Sequence, residues 1–175
     1  AVNYAIVNFG CRVNHADALA IEADLAARGG RVAPAESADV IVVNSCSVTA
    51  SADQGTRQTI RRLHRQNPQA RIVVTGCYAT RATDEVAALP GVTRVVTNEQ
   101  KHLVPAIVVE SLGPPLGQRP VDGDGGCGAV IEPGVAGRTA WTLRVQTGCG
   151  DACSYCIIPR TRGVSRSLSL AQDVD

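Results

Sequence analysis

The sequence predicts an α/β fold: a doubly wound parallel sheet, then a linker, then the start of a second unit. Three observations carry this. Short runs rich in Val and Ile recur at residues 4–9, 39–43, 72–75 and 92–97. Stretches with helical periodicity and helix-end signals separate them, and strands alternating with helices at this spacing pair in parallel. Gly and Pro then supply 12 of the 27 residues at 112–138, where no periodicity survives, as in an inter-domain linker.

The elements follow in order. Residues 4–9 form the first strand. Asn14 is placed to cap the next helix, with Asp17 in its first turn, where the helix dipole favours an acid. Leu19, Ile21 and Leu25 mark the apolar side of that helix, and Gly29-Gly30 stops it. In the run 39–43, everything after Asp39 is continuously apolar, as expected of a strand covered on both faces. After the turn Asn44-Ser45-Cys46-Ser47-Val48-Thr49, Ser51 and Gln54 fit a capping box. The helix they start runs to Asn67, is ended by Pro68, and turns Ile60 and Leu63 to the sheet. The third strand, 72–75, leads through Gly76-Cys77-Tyr78 to a shorter helix at 84–89, broken by Pro90-Gly91. A fourth strand spans 92–97. Asn98 is placed to cap a helix through Leu103, Ile107 and Val108, which Pro105 kinks or starts.

In this register Cys11, Cys46 and Cys77 each lie one to three residues past the carboxyl end of a strand. In a parallel sheet those ends share one edge, and open α/β sheets bind ligands there. One cysteine in such a place is usually a small buried hydrophobe. Three at equivalent positions point to shared metal binding. His15, just past Cys11, reads as a first-turn polar residue, and Cys127, inside the linker, as an incidental thiol.

Residues 139–146 alternate as a strand does and contain the only Trp, Trp141. They lead into Thr147-Gly148-Cys149-Gly150-Asp151-Ala152-Cys153-Ser154-Tyr155-Cys156, a C-x3-C-x2-C loop. A structural zinc ion wants a fourth protein ligand, which this loop lacks unless a distant residue supplies it. Three thiols on a four-iron four-sulfur cluster would leave one iron open to bind something else. The loop sits at a strand's carboxyl end, where (β/α) barrels carry their chemistry. Ser169 and Gln172 make a second capping box close to the last residue. With no Met anywhere, the sequence reads as a segment of a longer protein whose second domain is incomplete.

Composition sets further bounds. Aromatics are 3%, so the core is built from Val, Ile, Leu and Ala. The net charge of +1 neither favours nor excludes a nucleic-acid partner. Arg57, Arg61 and Arg65 recur every four residues on one helix face, suited either to RNA phosphates or to solvent. Arg160, Arg162 and Arg166 follow the cysteine loop, suited to a substrate, a carboxylate or acids elsewhere. No run reaches membrane-spanning length and there is no secretory leader, so a soluble cytoplasmic protein is expected. Seven cysteines in that compartment suggest metal or redox chemistry, not disulfides. Oligomeric state leaves no signal.

Four motifs together resemble the methylthiotransferase family of radical S-adenosylmethionine (SAM) enzymes. They are Gly10-Cys11-Arg12-Val13-Asn14, Asn44-Ser45-Cys46-Ser47-Val48, Thr75-Gly76-Cys77, and the loop from Gly148 to Gly163 with its Ile157-Ile158-Pro159 tail. The first is similar to the Cys-Lys-Val-Asn form typical of enzymes that modify N6-threonylcarbamoyladenosine in tRNA. The spacing of Arg162, Gly163 and Arg166 leans the same way, whereas Thr147 stands where an acidic residue is more usual. The resemblance implies a methylthiotransferase N-terminal α/β domain at 1–111, the linker at 112–138, and the start of a radical SAM (β/α) barrel at 139–175.

It also implies two 4Fe-4S clusters. Cys149, Cys153 and Cys156 would hold one, with SAM on its open iron and Tyr155 beside the cofactor. Cys11, Cys46 and Cys77 would hold an auxiliary cluster that delivers sulfur. The implied reaction adds a methylthio group to C2 of the modified adenine in the tRNA anticodon stem-loop, with an electron donor as a further partner. Sister groups act on isopentenyladenosine in tRNA or on an aspartate of a ribosomal protein. A non-catalytic iron–sulfur or zinc module is the remaining alternative for this length of chain.

Overall fold

Residues 2–47, 49–110, 146–151 and 153–167 are described by a computed structural model of the chain. The linker with Cys127, Trp141 with most of its strand, and the Ser169/Gln172 capping box lie outside these residues.

Five strands form one sheet: β1 (Asn3–Asn8), β2 (Arg31–Val32), β3 (Val40–Ser45), β4 (Arg71–Gly76) and β5 (Val92–Val96). Their order is β2-β1-β3-β4-β5, every pairing is parallel, and the expected α/β sheet is present. Side chains alternate between faces along a strand. On one face Tyr4, Val40, Val42, Val73 and Val96 meet Ile21 and Leu25 of α1 (Arg12–Ala27), with Val104 and Val108 of α5 (Val104–Glu110). On the other, Ile41, Val43, Ile72 and Val74 meet Ile60 and Leu63 of α2 (Ala50–Gln66), with Val86 of α4 (Thr83–Ala87). All six residues of β3 are buried, which is why its apolar run is unbroken. Each such aliphatic side chain contributes roughly 1.5–3 kcal/mol by leaving water.

Four local details differ from the sequence expectation. The edge strand β2 is too short to show periodicity; it is pinned by Arg31 N–H to the Val2 carbonyl and Ala33 N–H to the Tyr4 carbonyl, both 2.8 Å. The cap of α2 is Thr49, whose hydroxyl accepts from Ala52 N–H at 3.2 Å, and Ser51 lies inside the helix. A short helix α3 (Cys77–Arg81) starts directly at the end of β4, ahead of α4. The stretch after β5 opens as a 3-10 helix, Asn98–Leu103, and Pro105 falls in the first turn of α5, where its missing N–H costs nothing.

The described part of the cysteine loop is closed by a two-stranded antiparallel ladder, β6 (Gln146–Thr147) with β7 (Arg166–Ser167). One short helix, α6 (Ile158–Arg162), follows Cys156. No helix among the described residues is long and apolar enough to cross a membrane.

Candidate metal centre

Strand order reverses between β1 and β3, because the chain leaves β1 for β2 on one side and then crosses to β3 on the other. A crevice at the carboxyl ends belongs at such a switch point. Cys11 sits there as the residue preceding α1, and Cys46 directly follows β3. Cys77 is next along the edge, the first residue of α3. Cys46 and Cys77 are buried, at 5% and 4% exposure, and Cys11 is exposed.

The loop before Cys11 is shaped by Gly10. Its φ of +102° belongs to the region that side chains avoid, and a Cβ built on it would lie 2.6 Å from Cys46 Sγ. The absent side chain is what lets the β1 turn close over Cys46.

The strands change from apolar to polar in register as they reach this edge. Asn8 pairs with Asn44, and Asn44 with Thr75. Asn44 Nδ2 donates to Asn8 Oδ1 at 2.9 Å and to the Asn14 carbonyl at 2.7 Å. Ser45 Oγ donates to the Thr75 carbonyl at 2.5 Å and accepts from Ala79 N–H at 3.1 Å, which seats α3. Asn14 does not cap α1. It lies inside the helix, where Nδ2 donates to the Phe9 and Ser45 carbonyls at 2.8 and 3.0 Å. It therefore fastens the turns that carry Cys11 and Cys46.

Asp17 is likewise not a first-turn acid near solvent. It is buried, and its Oδ2 accepts from Lys101 Nζ at 2.8 Å and faces Arg162 Nη2 at 3.4 Å. Burial pushes the Lys101 ammonium below its ordinary value, and the carboxylate of Asp17 opposes that shift. Arg162 Nη2 also donates to Asn14 Oδ1 at 2.8 Å. Asn98 Nδ2 donates to the Thr161 carbonyl at 2.7 Å and lies 3.7 Å from Cys77 Sγ. These bonds tie α6 to α1 and to the 3-10 helix, and α6 also packs on α3, so the tail of the second cysteine loop lies against the edge that carries the first trio.

In the second loop, Cys149 N–H donates to the Gly163 carbonyl at 3.0 Å and Cys156 N–H to the Cys153 carbonyl at 3.1 Å. Cys149 and Cys156 are half-buried and Cys153 exposed; Cys149 Sγ–H points to Asp151 Oδ2 at 3.8 Å. Tyr155 is 91% exposed, with its ring free of the protein core. All six cysteines are free thiols, and among the described residues no three Cys, His, Asp or Glu side chains stand close enough to hold one metal ion. The donor set of the sheet edge is three soft sulfurs, the type that iron–sulfur clusters and zinc take. Thr75 Oγ1, Asn44 Oδ1 and Asn98 Oδ1 are buried beside it without a partner among the described residues. Such atoms are satisfied by ordered water, an ion or another group that reaches the edge. In its chemistry, though not in the spacing of its side chains, the donor set of the edge is of the kind a thiolate-held cluster takes.

Asn14, Asp17, Asn98 and Lys101 were not legible as site residues. The signal that was present is the run of polar residues at the carboxyl ends of apolar strands. The basic stripe is reduced: Arg57 donates to Tyr78 Oη at 2.9 Å and to Glu85 at 2.8 Å. Arg61, Arg62 and Arg65 line a shallow hollow with Gln58 and Thr59.

Residues 3–98 match the model of a family described as uncharacterized protein family UPF0004. The chain is 36% identical, over 93% of its length, to threonylcarbamoyladenosine tRNA methylthiotransferase MtaB of Bacillus subtilis, of which it covers 37%. It is 30% identical, over 97%, to ribosomal protein uS12 methylthiotransferase RimO of a Roseiflexus species, covering 41%. It is 31% identical, over 95%, to tRNA-2-methylthio-N(6)-dimethylallyladenosine synthase of Novosphingobium aromaticivorans, covering 39%. The chain thus spans about two fifths of the length of these curated relatives. With residues 3–98 matched by that model and relatives of one kind along nearly its whole length, the chain belongs to the methylthiotransferase family.

Proposed function

We propose that this chain is the cluster-carrying part of a cytoplasmic radical SAM methylthiotransferase, acting at C2 of N6-threonylcarbamoyladenosine beside the tRNA anticodon. Cys11, Cys46 and Cys77 would hold one four-iron cluster, and Cys149, Cys153 and Cys156 a second that binds SAM. When bound, the clusters and SAM supply radical generation at one centre and sulfur delivery at the other.

The observation that supports this best is the seating of α6 on the sheet edge, which brings the two cysteine motifs into one neighbourhood. Two centres that act on one carbon need fixed separation and orientation. The chain's own residues serve that need. Asn14, Ser45 and Asn44 hold the turns of the first trio, and Asp17 with Lys101 receives Arg162 from the second. Arg162 Nη2 is thereby engaged within the chain. Tyr155, exposed beside Cys156, would lie against the bound SAM. The tRNA substrate is supported by the first motif and by the activity for which the Bacillus relative is named.

Anaerobic reconstitution of the chain, with iron and acid-labile sulfide counted and electron paramagnetic resonance on the reduced sample, tests the cluster assignment. About eight irons are expected, falling to about four with Cys46→Ser or Cys153→Ser. Zinc without iron overturns it. Mass spectrometry of tRNA nucleosides from a strain lacking the gene tests the substrate: loss of a methylthio group from threonylcarbamoyladenosine is expected, and an unchanged nucleoside profile refutes it.

A further inference from the structure

Asn98 holds a position that its place after a strand does not announce. Its side chain caps nothing; the residue preceding the 3-10 helix is Thr97, without a side-chain cap. Its backbone N–H donates to Thr80 Oγ1 at 2.8 Å, and that hydroxyl donates to the Gly76 carbonyl at 2.8 Å, one residue before Cys77. Asn98 is therefore fastened to the turn that presents Cys77. Its amide nitrogen stands 2.7 Å from the Thr161 carbonyl, which can only accept, so the orientation of the amide is fixed. The same nitrogen has a second hydrogen, and Cys77 Sγ lies 3.7 Å away. Asn98 Oδ1, on the other side, is buried with no partner among the described residues.

One amide thus touches a sulfur of the first trio and the backbone of α6, two residues after which the three-cysteine loop closes through Gly163. We propose that Asn98 is a positioning residue that ties the Cys77 sulfur to the tail of the second cysteine loop and donates to that sulfur when it serves as a cluster ligand. This rests on the cluster assignment above. An N–H donor on a ligating thiolate draws charge from it and favours the reduced cluster, so the bond sets the reduction potential of the first centre. The bond to Thr161 holds α6, which follows Cys156, to the residue that touches the Cys77 sulfur.

The test uses the 175-residue chain carrying Cys153→Ser, so that the first centre alone reports. Asn98→Ala removes the donor; Asn98→Leu removes it while keeping the branched shape, should the smaller residue fail to fold; Asn98→Gln keeps it. A redox titration followed by electron paramagnetic resonance is expected to give a lower midpoint potential in the Ala or Leu variant at the iron content of the Cys153→Ser parent, with Gln restoring part of the shift. Amide hydrogen exchange over residues 158–163 is expected to quicken in the metal-free Ala or Leu chain. Full iron content with an unchanged midpoint overturns the proposal and leaves the cluster assignment standing. Absence of iron from the parent chain overturns both, and the iron count alone separates the two cases.

Discussion

Arg162 Nη2 donates to Asn14 Oδ1 at 2.8 Å, joining two buried side chains 148 residues apart in sequence. The same guanidinium faces Asp17, which also holds Lys101. Among the described residues this one carboxylate answers two buried cations. Removing the shared anion takes the counter-charge from both, whereas removing Arg162 leaves Lys101 with Asp17. Asp17→Ala is expected to cost about 3–5 kcal/mol, and Arg162→Ala distinctly less. Urea unfolding of both variants checks the order; an Arg162→Ala chain as unstable as Asp17→Ala would refute the shared-anion reading.

The cap of α2 gives a smaller and cleaner comparison. Thr49 Oγ1 accepts from Ala52 N–H, while Ser51 Oγ only meets the Thr49 hydroxyl at 2.9 Å. Thr49→Ala is expected to cost about 1 kcal/mol and Ser51→Ala a few tenths. Thermal unfolding midpoints of the two variants decide between the observed cap and the capping box that the sequence suggests.

That pair shows where sequence reading reaches its limit. Apolar runs and helix punctuation placed four strands because burial on both faces forces continuous Val and Ile, and a two-residue edge strand leaves no such trace. The cysteines were legible because equivalent strand ends in a parallel sheet must share an edge. Asn14, Ser51 and Asn98 were each read as caps, since a polar residue beside a helix start usually is one. Only the fold reveals that Asn14 and Asn98 turn inward to other turns of the same edge. Asp17, Lys101 and Arg162 lie in three separate segments, and no local pattern announces that charges so far apart will meet.

Gly10 makes the shape of the edge testable. Alanine there meets two penalties: a positive φ that costs roughly 1–2 kcal/mol, and a Cβ pressed against Cys46 that adds about 1–3 kcal/mol. Gly55, on α2 with open space around it, is the control, and Gly55→Ala is expected to stabilise the chain modestly. Calorimetry reads both. Titration of accessible thiols is expected to show Cys46 reacting faster in Gly10→Ala than in the parent; equal rates would mean that Gly10 does not shape the Cys46 site.

Tyr4 and Tyr78 are fully buried, and burial pushes both phenols above their ordinary value of 10.0, against a smaller opposing effect of Arg57 on Tyr78. The folded chain then binds more protons than the unfolded chain above that value. The associated stability is fully present below pH 10 and is lost as pH rises through the folded values. Phenolate absorbance of Tyr4 and Tyr78 is expected to appear together with the loss of helical circular dichroism. Tyr78→Phe, which leaves Arg57 paired with Glu85, is expected to cost about 0.5–1.5 kcal/mol near neutrality and to flatten the alkaline decline. Ionisation of Tyr78 at its ordinary value in a chain that remains folded would show that this phenol is not sealed from solvent as the packing of α3 requires.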